Sequence, residues 1–167
     1  MEKVAWLVLT VVTLVAAIAA QWSPRALAVG RVALGVYYVF AGALVNLIYL
    51  ATGATFATFA DSAHVSFVRE TWHSLVAPHQ TFFIGLLIAF EATMGVLVFV
   101  GGRSAELGMV GILVMQACLL LFGWVLTILA TVMLVAVGLL LRAQRRSDRA
   151  PEPHVARTSI DAPTVSA

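Results

Sequence analysis

The sequence predicts an all-α membrane protein, a polytopic transmembrane helical bundle of about five spans. Three observations carry that prediction. Apolar residues make up 62% of the 167 residues and charged residues 11%, against about half and a quarter in a soluble domain. The apolar residues are also contiguous, in several uncharged runs of about 18 residues or more, the length a helix needs to cross the hydrocarbon core. Finally, the basic residues sort to one side of these runs. A transmembrane barrel would alternate polar and apolar residues, which this chain does not do. In a dry core, helices satisfy the backbone amides.

The first span runs from about Val4 to Ala20. Ala17-Ile18-Ala19 resembles a signal-peptide cleavage site, but the flanks oppose that reading. Met1-Glu2-Lys3 is weakly basic, whereas Arg25 and Arg31 come after the apolar run. The chain is read as keeping an N-terminal transmembrane helix, residues 1–22, with its N-terminus outside. Pro24 breaks the chain before the second span, about Leu27 to Ala51. The third runs from about Thr81 to Gly101, and Gly101-Gly102-Arg103-Ser104-Ala105-Glu106 makes a turn. From Leu107 to Leu141 there is no charge. One helix of that length would be roughly 50 Å long, too long for a core of about 30 Å. Two spans with a turn at Gly123-Trp124 fit better.

Charge tests the count. With five spans only Lys3 and Arg69 lie outside, leaving eight of the ten Lys and Arg residues cytoplasmic. Four spans would place the basic tail and the Arg25/Arg31 loop on opposite sides. Residues 27–142 therefore read as a four-span core. Residues 143–167, with Arg145, Arg146, Arg149 and three prolines, read as a disordered basic cytoplasmic tail. Beside a span, these arginines and Arg142 contact anionic lipid, and no nucleic-acid motif accompanies them. Arginine in excess of lysine, with abundant alanine and valine, fits a GC-rich bacterium. The expected location is the bacterial cytoplasmic (inner) membrane, multi-pass, with the C-terminus inside.

The connection from Thr52 to Gln80 lies outside. Phe56, Phe59, Ala63, Phe67, Trp72 and Leu75 recur at helical spacing, while Asp61, Arg69, Glu70 and His73 take other positions. This pattern predicts an amphipathic helix over about 56–77, lying on the outer surface or capping the bundle and ended by Pro78.

Glu91 is the most informative residue, because a charge near the middle of a span is costly. On a helix it shares a face with Ile84, Gly95 and Val98, so it is expected to point inward. In the second span Arg31, Gly35, Tyr38, Gly42, Asn46 and Tyr49 occupy one sector. Tyr38 and Gln116 sit near the depth of Glu91. The candidate intramembrane polar cluster is Glu91, Tyr38, Gln116, Arg31 and Asn46, with Thr131 beside it. Glu91 reads either as a proton-accepting or ligand-binding carboxylate, or as a protonated acid joining two helices. Glu70-Thr71-Trp72-His73 has the Glu-x-x-His spacing of di-iron bundles. The second such motif that a site would need is missing, so Glu70 and His73 are weak candidates and no metal is expected. The one cysteine, Cys118, forms no intramolecular disulfide. No triad, P-loop or metalloprotease motif is present.

Arg31-Val32-Ala33-Leu34-Gly35 followed by Ala41-Gly42, and Ile84-Gly85-Leu86 leading to Glu91-Ala92-Thr93-Met94-Gly95 and Gly101-Gly102-Arg103, resemble the first two core helices of the DoxX-like membrane family. Two short apolar spans then close the domain. The resemblance covers about 27–142 and implies four helices with both ends cytoplasmic. Val45 and Asn46 stand where the family often has a lysine, and the N-terminal span is additional. Relatives include membrane subunits linked to quinone-dependent sulfur oxidation and to oxidative-stress complexes, so the resemblance implies a redox association. It brings in quinone as a cofactor, where the residues themselves indicate none. The leading expectation is a small accessory or scaffold subunit of a membrane complex, with protein partners or a second copy. One alternative is a quinone- or lipid-binding oxidoreductase subunit with Glu91, Tyr38 and Arg31 around a pocket. The other is a proton-coupled transporter using Glu91, against which the lack of an inverted repeat counts.

Overall fold

The computed structural model describes residues 2–149. Every regular element among them is helical. Helix α1 covers Glu2–Ala19. Ser23 caps α2, Pro24–Val36, by accepting a hydrogen bond from the Ala26 amide at 3.4 Å, and Pro24 occupies the first turn, where its missing N–H costs nothing. The helix continues unbroken through a π-helical segment, Tyr37–Leu44, into α3, Val45–Ala51. The connection holds a 3₁₀ turn, Ala57–Ala60, then α4, Ser66–Thr71, which runs into a π turn, Trp72–Val76. Helix α5 is Gln80–Val100, α6 is Gly102–Leu119 and α7 is Trp124–Arg149. Between α5 and α6, Gly101 and Gly102 take φ of 90° and 56°, a region that favours glycine. A Cβ on Gly101 would also strike the Arg31 guanidinium.

Three helices are long and apolar enough to cross a membrane: Pro24–Ala51, Gln80–Val100 and Trp124–Arg149. The apolar part of α1, Trp6–Ala19, is shorter, and α6 opens with Arg103 and Glu106. The five long helices pack as a closed ring. α1 lies against α2 and α7, α2 and the π segment against α5, α5 against α6, and α6 against α7. Leu34, Tyr38, Met109, Ile112, Met133 and Leu140 fill the centre. Small residues let backbones approach closely. A Cβ on Gly95 would lie 3.1 Å from the Gly35 carbonyl oxygen, and one on Gly108 would lie 2.9 Å from that of Met94. The outer faces stay apolar, with Phe82, Val100, Val125 and Ile128 exposed, as suits a bundle solvated by lipid.

Two expectations need correction. The tail does not begin at 143: α7 continues to Arg149, with Ala143 and Gln144 buried. Gln144 donates to the Asp148 carboxylate at 3.0 and 3.1 Å, and Arg145 pairs with Glu106 of α6 at 3.3 Å. These contacts use polar side chains that composition alone assigns to solvent. The rest of the expected tail lies outside the described residues. The outer amphipathic helix is also interrupted. His64 donates its backbone N–H to the Leu121 carbonyl at 3.0 Å, and Val65 is extended, so 61–65 is committed to the α6–α7 turn rather than to helix.

Candidate functional site

The π segment positions the site. An i→i+5 turn holds more residues than an α turn and shifts the register of the residues after it. The sector drawn from uniform α geometry divides at both ends: Tyr49 follows the segment and leaves the face, whereas Arg31 precedes it by about two turns and differs from Tyr38 in depth. Tyr38, Gly42 and Asn46 face the bundle interior beside Glu91 and Gln116. Arg31 turns away to the far end of α5, where its Nε and Nη2 donate to the carbonyls of Val98 and Phe99, each at 3.3 Å. A cation at a helix C-terminus satisfies orphan carbonyls and opposes the helix dipole. Arg31 has no place in the wall of the interior cavity. Tyr49 lies towards the outside of the bundle.

Two polar pairs form the interior cluster. The Gln116 amide donates to the Tyr38 hydroxyl at 2.6 Å, joining α6 to the π segment, with Tyr38 only 1% exposed and Gln116 4%. The Asn46 amide donates to Glu91 Oε2 at 2.9 Å, joining α3 to α5, with Glu91 7% exposed. Gly42 makes room for that carboxyl, since a Cβ there would sit 2.9 Å from Glu91 Oε1. Tyr37 lies against Tyr38, with ring centroids 5.4 Å apart. Thr131 stays outside the cluster and donates to its own helix at Thr127.

Between these pairs is a cavity of about 150 Å³. Most of the remaining wall is apolar, with Met115, Leu129 and Met133 among it. Aromatic residues cover its outer side. Phe59 stacks on Trp72 at 5.1 Å, and both rings pack against Phe122 of the α6–α7 turn at 5.2 and 5.7 Å. The Trp72 indole donates to the Phe56 carbonyl at 2.8 Å, and the Phe56 amide donates to the Gln80 side chain at 3.1 Å. Gln80 thus anchors the cover, while His79, expected to help start the third span, makes no side-chain cap.

His73 pairs with Asp61 at 2.9 Å, tying the two halves of the connection together. Among the described residues no three His, Cys, Asp or Glu side chains gather as metal ligands. His64 hydrogen-bonds Thr127 at 3.1 Å and meets Trp124 edge-on.

Sequence reasoning missed Trp6. It lies on the helix read as additional to the core, yet it lines the cavity. A tryptophan near the start of a span reads as an interfacial anchor, and only the packing of α1 against the π segment gives it an interior role. Comparison of the chain with protein-family models, with curated proteins and with solved structures returns no match.

Proposed function

We propose that this chain is a five-span, DoxX-like protein of the bacterial cytoplasmic membrane whose bundle interior binds a small lipophilic molecule with a hydrogen-bonding head. One observation carries the reading: an apolar cavity that holds two polar pairs, Glu91–Asn46 and Tyr38–Gln116. An apolar pocket with a few convergent polar groups is the usual form of a small-molecule site. A quinone or lipid-derived ligand fits this chemistry, and a redox-linked subunit fits the family resemblance. The charge pattern supports the orientation, since Arg25, Arg31, Arg103 and the arginines from 142 to 149 all belong to the end where α5 meets α6.

The accessory-subunit reading keeps one specific observation in its favour. Phe67, on the outer connection, is 71% exposed beside Arg69 and Glu70, which suits a protein partner at the membrane surface.

The test is purification from the native membrane in mild detergent, with mass spectrometry of co-purifying small molecules and proteins. A stoichiometric small molecule that is lost in Glu91→Gln and in Tyr38→Phe, at unchanged protein abundance, supports the pocket. A stoichiometric protein partner with no small molecule moves the assignment to an accessory subunit.

A further inference from the structure

A second concavity adjoins the first. It is a groove of about 430 Å³ between α1 and the π segment with α3, lined by Trp6, Leu9, Phe40, Ala41, Val45 and Ile48 together with Tyr49, and with no charged residue in its walls. Phe40 and Ile48 are half-exposed there, so the groove opens sideways, on a flank that a bilayer would cover. The cavity and the groove share two wall residues, Trp6 and Ala41. At this junction the Trp6 indole N–H is buried and has no acceptor among the described residues. A buried donor without a partner is uncommon and costly, and it marks a place where an acceptor from outside the chain would sit.

We propose that the ligand is a single-chain amphiphile that enters from the bilayer. Its head occupies the cavity, its apolar chain lies in the groove, and a polar atom near their junction accepts from Trp6. This proposal rests on the pocket reading above and adds the class and route of the ligand. The sizes support it. A cavity near 150 Å³ is about what a benzene-sized ring fills, so the head is no larger than one ring. A phospholipid headgroup is larger. Its phosphate would also face the Glu91 carboxyl without a compensating arginine, since Arg31 is engaged at the other end of α5. The groove walls carry no charge, so the part of the ligand that lies there is hydrocarbon. The π segment serves both places, because Tyr38 and Gly42 face the cavity while Phe40 faces the groove.

The experiment uses the full chain in lipid nanodiscs and two probes. Para-fluorophenol, followed by fluorine NMR, reports the head site alone. Para-dodecylphenol carrying a diazirine at mid-chain reports where the chain lies, through the positions of its photo-adducts. The expected result is adduct formation on Leu9, Phe40, Val45 or Ile48 that excess unlabelled para-dodecylphenol abolishes and dodecane does not. The double substitution Val45→Phe with Ile48→Phe fills the groove from its exposed side, and should cut adduct yield about fivefold while para-fluorophenol binding stays within about twofold. Adducts spread evenly to lipid-facing residues such as Val125 and Ile128, or competed equally by dodecane, overturn the inference and leave the pocket intact. Failure of para-fluorophenol to bind, or binding unaffected by Glu91→Gln, overturns the pocket and the inference together.

Discussion

At the scale of single residues, Glu91 and Gly42 work as a pair. The carboxyl sits against a backbone that has no side chain, and Asn46 holds one oxygen. Gly42→Ala introduces a methyl group 2.9 Å from Glu91 Oε1, which ends a flexible side chain and can shift at the expense of its bond to Asn46, so the substitution should destabilise the bundle by about 1 kcal/mol. In a Glu91→Ala background the same substitution should cost much less, because the clashing group is gone. Unfolding in mixed micelles of SDS and a mild detergent measures both. Equal costs in the two backgrounds would show that the carboxyl does not rest on Gly42. Glu91 could be found from the sequence because an acid inside an apolar run has few harmless explanations. Its partner Asn46 could be named there, but its hydrogen bond could not.

At the scale of elements, the π segment explains most of what the sequence conceals. The faces of α5 follow from α periodicity, and Ile84, Glu91, Gly95 and Val98 are the residues it buries. The same arithmetic places Tyr49 with Tyr38, because periodicity does not register a change of helix type, whereas Arg31 precedes the π segment and is parted from Tyr38 by about two turns of depth. Deleting Phe40 should relax the segment towards α geometry and rotate Asn46 away from Glu91. A cysteine pair at positions 46 and 91, made in a Cys118→Ser chain, should then crosslink readily without the deletion and poorly with it. Undiminished crosslinking would show that the π register does not set this contact. The outer connection was legible as amphipathic and aromatic, but its interruption was not. Ser62 and His64 are held by the α6–α7 turn, a tertiary contact that no local pattern encodes. The extra turns of α7 also carry a tertiary contact, the pair between Arg145 and Glu106 of α6.

At the scale of the whole molecule, the sequence predicts a membrane bundle from bulk apolarity, and the helices carry that apolarity on their outer surfaces. The span count depends on α1 and α6, which are shorter or less apolar than the other three. Both belong to the same closed ring, and Gln21 beyond α1 donates to the Leu139 carbonyl of α7 at 2.9 Å. If all five cross, a green fluorescent protein fused after Ala167 should fluoresce, since it matures in the cytoplasm. Alkaline phosphatase inserted after Ser62 should be active outside. An inactive insertion paired with a fluorescent C-terminal fusion would reduce the number of crossings.

The aromatic cover has a kinetic consequence. Phe59, Trp72 and Phe122 are held by ring packing, by the bond from Trp72 to Phe56, by the bond from Phe56 to Gln80, and by the Asp61–His73 pair. These fastenings are chemically different, so no single change of salt or solvent releases them all. For a ligand in the proposed pocket, exchange through the aqueous side would then be slow, and the faster path would run through the hydrocarbon. Residence time becomes a property of the surrounding lipid as much as of the protein. It should lengthen as acyl chains stiffen on cooling, and respond little to the viscosity of the water above.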